Sequence, residues 1–422
     1  MPPEPPRPVR TLCLQWPRLG PYHRARLRAA HAHGAGRGGR VVALELAGQD
    51  ATYGWEAAEA PEPYERVVAL PGETAESVPP RRAWAAVAAA LDRVDPDAVA
   101  VTSYSTPDAQ AALAWCRRRR RVAVCMLESK ADDAERSPLR ERAKSVLVRQ
   151  FDAGLGGGSP QAAYLADLGL PPARVFTPYD VVDNDHFHDG AEAARRASET
   201  VRHLPGLGDP APFFLASNRF VARKNLPALV DAYAAYRART ANPWRLVLLG
   251  DGPDRPALEA RAADVGGVAF AGRRPYAALP AYYGLAGAFV HPSLLDQWGL
   301  VVNEALAAGL PALVSTRTGA VHDLVEDGVT GYRFDPGDVG ALADLLGHVA
   351  ALDGGARAAM GRRGQERVAR WSPERFAEAV WAAADAGLAT ADRGASPAAA
   401  ALLWAQRTAA RRGDQFHALR DA

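Results

Sequence analysis

The chain has 422 residues, 50 Lys+Arg against 48 Asp+Glu, a net charge of +2 and 48% hydrophobic residues. Those values exclude a disordered polyelectrolyte and supply enough apolar residues for more than one core; the missing basic excess argues against a dedicated nucleic-acid binder, so no nucleic-acid partner is expected. Three cysteines, Cys13, Cys116 and Cys125, are too few and too scattered for a disulfide framework or a zinc site.

Met1 to Arg10 is proline-rich without an apolar run, so no signal peptide is expected, and no stretch reaches ~18 apolar residues, so no membrane-spanning helix is expected either. A cytoplasmic protein follows. Short apolar runs then alternate with longer amphipathic segments, the order of a parallel α/β sheet. Thr11–Gln15 is the first strand. The loop behind it carries Gly20, Tyr22 and His23. Its glycine permits close backbone approach and the helix start after it favours an anion; a plain surface loop with a histidine is the competing reading. Arg40–Glu45, Ala98–Thr102, Val122–Leu127 and Ala153–Gly156 are further strands, with helices at Arg81–Val94 and Pro107–Arg119. Arg117 to Arg121 form a run of basic residues beside Trp115. They complement a helix C-terminus, or else give the chain a peripheral contact with the inner face of a membrane. Glu128, Ser129 and Lys130 fall at the carboxyl end of a strand. The run from Gly154 to Ser159 imitates a dinucleotide loop, with Asp180 roughly 20 residues on. Its third fingerprint position is Ser159, however, and no strand end precedes Asp180. A tight turn into the helix Gln161–Leu168, capped by Ser159, is preferred, and dehydrogenase chemistry is disfavoured.

Residues 1–185 make the first expected domain. The stretch 186–212, charged and patternless around Pro205 to Pro210, is the expected linker. A second series fills 213–371. Its strands are Phe213–Ser217, Arg245–Gly250, Val268–Ala271, Gly287–His291 and Pro311–Ser315. Its helices are Leu226–Arg239, Pro253–Val265, Pro275–Leu285, Gly299–Gly309, Ala320–Glu326 and Asp338–Asp353. Ser372 opens a crossover helix, Pro373–Ala386, within 372–389, and 390–422 is a tail with an alanine-rich helix, Pro397–Arg412. Two doubly wound halves are expected to hold ligands at the carboxyl ends of their sheets, in a cleft between them.

Only three of the basic residues are lysine: Lys130, Lys144 and Lys224. Isoleucine is absent and arginine abundant, as a GC-rich coding bias produces. Lysines that survive such a bias point to sites needing a compact charge, where arginine does not substitute. Lys224 sits in Ser217-Asn218-Arg219-Phe220-Val221-Ala222-Arg223-Lys224-Asn225, at a strand end leading into a helix. Arg219 can grip a phosphate with its planar fork and Lys224 can add a point charge. Farther on, Asp296 and Glu304 lie eight positions apart. Gly299 between them lets a ligand approach, and the N–H groups of Leu300 and Val301 open a helix toward an anion. A carboxylate for a ribose diol beside donors for a diphosphate describes a nucleotide-sugar site.

With these residues the second half resembles family 4 glycosyltransferases of the GT-B fold, the glycosyl transferases group 1 domain. The matching pieces are Arg219 with Lys224-Asn225, Leu248 to Pro253, the pair Asp296 and Glu304, Gly309-Leu310-Pro311, and Gly319 with Asp327 to Gly331, over about Phe213 to Trp371. The resemblance implies two Rossmann-like domains facing each other across a cleft, with a C-terminal helix crossing back. It implies that Arg219 and Lys224 hold the donor diphosphate, with Asn218, Gly299, Leu300 and Val301 around it, and that Glu304 meets the ribose. The first acidic position contacts sugar hydroxyls; this chain has Asp296 where the family usually has Glu. More weakly, Gly20 to Leu27, Glu128-Ser129-Lys130, Gly156-Gly157 and Tyr179 to Asn184 resemble one branch of the family, so Gly20, Tyr22, His23, Glu128, Ser129 and Lys130 are the acceptor-side candidates.

The expected activity is transfer of a hexosyl-type sugar from a nucleotide-diphosphate sugar to a glycan, lipid-linked glycan or small-molecule acceptor, with retention of anomeric configuration. No cofactor is expected beyond the donor as co-substrate, and no metal, although Asp183-Asn184-Asp185 imitates a metal motif. A nucleotide-sugar epimerase, a phosphorylase on the same fold and a non-catalytic sugar-binding homologue are the alternatives. Donor hydrolysis without acceptor separates an enzyme from a binder, and a pyridoxal phosphorylase needs a Schiff-base lysine for which only Lys224 is available.

Overall fold

The computed structural model describes residues 8–49, 61–209 and 211–408. The residues through Val181, joined by the stretch from Pro373, form one compact unit; Val182–Ser372 form the other.

The first unit starts with seven strands: β1 (Thr11–Trp16), β2 (Arg40–Gln49), β3 (Glu65–Thr74), β4 (Ala98–Thr102), β5 (Val122–Leu127), β6 (Ala153–Gly156) and β7 (Val175–Phe176). They pair in the order β3-β2-β1-β4-β5-β6-β7, and every pairing is parallel. Helices α1 (Pro21–Gly36), α2 (Pro80–Val94), α3 (Pro107–Arg119), α4 (Pro138–Val148) and α5 (Ser159–Asp167) make the crossovers. Helices on both faces leave the central strands no solvent side, so they read as continuous apolar runs; every residue of β5, Val-Ala-Val-Cys-Met-Leu, is buried. Cys13, Cys116 and Cys125 are unpaired thiols in this core, and burial pushes each well above the ordinary thiol range.

The second unit contains α6 (Asn184–Arg196), α7 (Ser198–Val201), β8 (Phe213–Ser217), α8 (Leu226–Ala238), β9 (Arg245–Leu249), α9 (Arg255–Ala262), β10 (Val268–Gly272), α10 (Leu279–Leu285), β11 (Ala288–His291), α11 (Leu300–Ala307), β12 (Ala312–Ser315), α12 (Val321–Leu324), β13 (Gly331–Phe334), α13 (Val339–Ala351) and α14 (Gly354–Val368). Its sheet runs β10-β9-β8-β11-β12-β13, again all parallel. Strand order reverses between β8 and β11, and in open α/β sheets ligands bind beyond the carboxyl ends at such a switch point. The corresponding point in the first unit lies between β1 and β4.

The chain then returns to the first unit with α15 (Pro373–Gly387) and α16 (Pro397–Thr408). Trp381 anchors α15. It is fully buried, and its indole N–H donates to the Ala30 carbonyl at 3.0 Å. A Cβ on Gly34 would come within 2.6 Å of its ring, so α1 needs glycine there. Arg37 lies over the same ring at 4.8 Å and pairs with Asp385 at 2.6 Å.

Several elements depart from the expectations. The stretch 186–212 opens with a helix belonging to the second unit, where an irregular linker was expected. Its polar composition hides a short stripe, Phe187, Ala191 and Ala194, that is buried. Strand β3 escaped notice because it is an edge strand broken by Pro71 and Gly72, without a continuous apolar run. Strand β13 and helix α14 were also missed; β13 is four residues long with Arg333 exposed, and α14 has mostly charged and small residues. The cap of α5 is Gly158, one residue before Ser159. The ends of the expected tail helix, 409–412, and of the N-terminal proline-rich stretch lie outside the described residues.

Two motif readings change. The glycine run after β6 packs on a carboxylate: a Cβ on Gly157 would lie 2.3 Å from Asp180 Oδ2. Asp180 pairs at 3.4 Å with Arg26, and both side chains are buried, so this turn serves internal packing. The five arginines are all paired. Arg117 is buried against Asp152, Arg119 meets Asp92 at 2.7 Å with Arg118 at 3.9 Å from it, Arg120 meets Asp392 at 2.8 Å, and Arg121 meets Asp95 at 2.9 Å. A run met by five carboxylates, Asp92, Asp95, Asp97, Asp152 and Asp392, offers little net charge to an anionic surface. No described helix is long and apolar enough to cross a membrane.

Candidate active site

At the switch point of the second unit, β8 ends in Ser217 and continues into Asn218 and Arg219; β11 ends in His291. A single 3-10 turn, Ala222–Lys224, then bends the chain into α8, with Asn225 in the left-handed region at φ 54° and its amide donating to the Pro336 carbonyl at 2.9 Å. This turn carries Lys224 inward. Its ammonium donates to Asp296 Oδ2, and the same oxygen lies 2.8 Å from His291 Nε2. Arg223 approaches the other carboxylate oxygen at 3.7 Å, and Ser293 Oγ lies 3.1 Å from His291 Nε2. Asp296 is buried, and burial alone would raise its pKa; Lys224, the His291 hydrogen bond and Arg223 outweigh that and hold it well below the ordinary carboxylate range. Burial lowers the pKa of Lys224, with Asp296 opposing and Arg223 and Arg219 adding to the fall. Burial likewise lowers His291, against its bond to Asp296.

Arg219 differs from these. It is half-buried and has no ion-pair partner among the described residues, so its guanidinium is the cation available for an incoming anion. Asn218 is 9% exposed and neither atom of its carboxamide has a hydrogen-bond partner. His291 Nδ1 and Thr318 Oγ1 are buried and unpartnered as well. Unsatisfied buried polar atoms cost free energy unless something fills them, and several at one strand edge point to a polar ligand.

Gly299 closes the site. It caps α11 at φ 93°, and a Cβ there would meet Thr318 Cγ2 at 2.9 Å and His291 Nε2 at 3.4 Å. The backbone therefore starts α11 beside the His291–Asp296 pair, with the N–H groups of Leu300 and Val301 in the first turn, where no intrahelical acceptor exists. Trp298 braces that turn through its indole N–H to Asn303 Oδ1 at 2.9 Å. Glu304, one turn in, is 1% exposed and accepts the Tyr283 hydroxyl at 2.5 Å.

The first unit arranges its candidates along its own carboxyl edge. Gly20 caps α1, and its N–H donates to His23 Nδ1 at 2.8 Å. The His23 ring tilts on Trp16 at 5.0 Å between centroids, and burial, helped by Arg26 and Arg24, pushes its pKa down to about 3. Tyr22, Glu128 and Ser129 are half-buried. Lys130, expected on the acceptor side, is 1% exposed and donates to Asp132 at 2.5 Å. Lys144 donates to Glu141 at 2.7 Å and lies 3.2 Å from the Tyr164 hydroxyl, an internal anchor of α4. Asp183, half of the apparent metal motif, caps α6 by accepting the His186 N–H at 3.0 Å, and Asn184 donates to the Val368 carbonyl at 3.2 Å. The sequence reading missed His291 and Tyr283. A histidine closing a buried strand at the switch point was a usable signal for the first; nothing in the local sequence marks the second.

Residues 199–367 match the family described as Glycosyl transferases group 1. A GDP-mannose-dependent alpha-(1-6)-phosphatidylinositol monomannoside mannosyltransferase of Mycolicibacterium smegmatis is 33% identical over 194 residues, 44% of this chain and 49% of that one. An alpha-D-kanosaminyltransferase of Streptomyces kanamyceticus is 32% identical over 180 residues, 42% of this chain and 45% of that one. The chain thus spans about half the length of the curated relatives it matches. Among solved structures, a glycosyltransferase from Rickettsia africae superimposes with a TM-score of 0.67 at 12% identity, over 87% of this chain and 95% of that one. HepE of Anabaena, crystallised with UDP, gives 0.65 at 17% identity, over 88% of this chain and 98% of that one. At these identities the superpositions establish the fold, two Rossmann-like units of the GT-B type.

Proposed function

We propose that this chain, whose residues 199–367 belong to the glycosyl transferases group 1 family, moves a sugar from a nucleotide-diphosphate donor to a hydroxyl acceptor. The observation that carries the reading is the arrangement at the β8–β11 switch point: an uncommitted Arg219, a buried Lys224 held by Asp296, the start of α11 behind Gly299, and Glu304 one turn along. Arg219, Lys224 and the first N–H groups of α11 neutralise the diphosphate, and Glu304 receives the ribose hydroxyls. Asp296 keeps the Lys224 ammonium in place and, through its shorter side chain, stays in the wall of the site. The C1–phosphate oxygen bond breaks, the acceptor oxygen bonds to C1 on the same face, and the acceptor proton passes to the departing phosphate, which retains the anomeric configuration. Protein groups then supply position and charge. The cations already present support a metal-independent reaction. Gly20, Tyr22, His23, Glu128 and Ser129 are the acceptor-side candidates; a glycan, a lipid-linked glycan or a small molecule remains the acceptor class. His23, neutral with its proton on Nε2, offers a donor to a hydroxyl or an anion.

Lys224→Ala tests this. Turnover with the donor found in a thermal-shift screen of nucleotide sugars should fall by at least about 100-fold, the usual loss when one donor to developing charge is removed, with the fold intact by circular dichroism. Full turnover in that variant would sink the phosphate assignment. Activity that survives chelator supports the metal-independent course; its complete loss rejects it.

A further inference from the structure

Tyr283 belongs to α10 and touches neither the Arg219–Lys224 turn nor the start of α11 by sequence, yet its hydroxyl reaches Glu304. We propose that Tyr283 is the positioning residue that sets the Glu304 carboxylate for the ribose of the donor nucleotide. This rests on the ribose reading of Glu304 given above.

The phenol is fixed from every side. Tyr283 is fully buried, its ring edge-on to Phe187 at 5.6 Å and 85° and tilted on Phe289 at 5.7 Å. Phe187 itself meets Tyr276 edge-on at 5.6 Å. These rings pack the phenol in place, and its hydroxyl donates to Glu304 Oε2 at 2.5 Å. Burial, reinforced by Glu304, raises the phenol pKa far above its ordinary value, so the group is a donor at any working pH. The result is a buried hydroxyl of α10 that donates to a buried carboxylate of α11. A carboxylate fixed in a buried frame loses its freedom to rotate, and that orientation lets it accept the hydrogen bonds that the diol of one ribose donates.

A purely structural pair would behave differently. Removing the phenol hydroxyl would then lower stability and leave ligand discrimination alone. The experiment is calorimetry on the full chain with UDP, GDP and ADP, followed by the 2′-deoxy counterpart of whichever binds tightest. The readout is the ratio of ribo to 2′-deoxy affinity. In Tyr283→Phe the ratio should fall about tenfold, the order expected for one lost hydrogen bond to a charged group. In Glu304→Ala it should fall at least as far, and the double variant should fall no further than Glu304→Ala alone. If Glu304→Ala erodes the ratio and Tyr283→Phe keeps it, the positioning role is overturned while the ribose reading stands. If Glu304→Ala keeps the wild-type ratio, the ribose reading has failed and the inference goes with it. Should Tyr283→Phe not fold, Phe187→Leu, which frees the ring that Phe187 meets edge-on, decides: a partial fall supports the positioning role, and an unchanged ratio rejects it.

Discussion

His23 Nδ1 accepts the Gly20 N–H, so the proton of the neutral ring sits on Nε2. Its pKa, pushed down to about 3 by burial and by Arg26 and Arg24, gives a testable linkage. In the unfolded chain the ring takes a proton near pH 6.5; in the folded chain it does so only near 3. Between those values the unfolded state binds more protons, so the His23 contribution is fully present above about pH 6.5 and is lost as pH falls toward 3. Its slope is at most about 1.4 kcal/mol per pH unit. Urea unfolding of His23→Gln at several pH values should show a flatter acid limb than the parent; identical limbs would contradict the neutral ring. The residue scale is also where the sequence was most and least informative. Lys224 was legible because coding bias had removed almost every lysine that arginine could replace. Lys130 and Lys144 passed the same filter, but their partners, Asp132 and Glu141, hold them as internal anchors. Scarcity marked a compact charge in each case and could not say whether protein or ligand would balance it.

Helix α3 shows how an element can mislead. Its last turn and the residues after it read as a five-arginine patch, yet the carboxylates that neutralise it come from far along the chain, Asp92, Asp95, Asp97, Asp152 and Asp392. Long-range pairing of this kind leaves no periodic signal. Arg117 and Asp152 are both buried, whereas Arg118, Arg119 and Arg120 are exposed. Removing one partner of a buried pair costs about 3–5 kcal/mol, and an exposed pair contributes about 0–1 kcal/mol. Arg117→Gln should therefore lower unfolding stability by several kcal/mol, while Arg118→Gln with Arg119→Gln should change it little. Sedimentation with anionic phospholipid vesicles adds the second arm: binding that disappears in the double variant would restore the membrane reading. Elements with a buried apolar run, such as β5 and β8, were found from the sequence to within a residue. Edge strands β3 and β13 and the polar helix α6 were not, because half-exposed elements carry only part of the pattern.

At the scale of the molecule the chain folds as two units that share no stretch of sequence except through the return at Pro373. The candidate donor residues, Asn218 to Lys224 and Asp296 to Glu304, all belong to the second unit, while α15 completes the first. A chain ending at Ser372 thus removes the Trp381 indole from its place against Ala30 and Gly34 and leaves the β8–β11 switch point with every residue it has in the full protein. Loss of one buried tryptophan costs about 3–5 kcal/mol, and the loss of its whole helix exceeds what a single unit can spare. Scanning calorimetry should show the transition of the first unit lost or moved far down. The second unit should keep its own transition and still be stabilised by the nucleoside diphosphate that binds the full chain, by about 2.7 kcal/mol at a ligand concentration of 100 Kd. If the truncated chain gives no nucleotide-dependent transition, the donor site needs the first unit to form, and the assignment of diphosphate and ribose to residues of the second unit alone is wrong. If the transition and its ligand shift survive, the division of labour follows from the chain itself: one unit binds the donor by its own fold, and α15 serves the other.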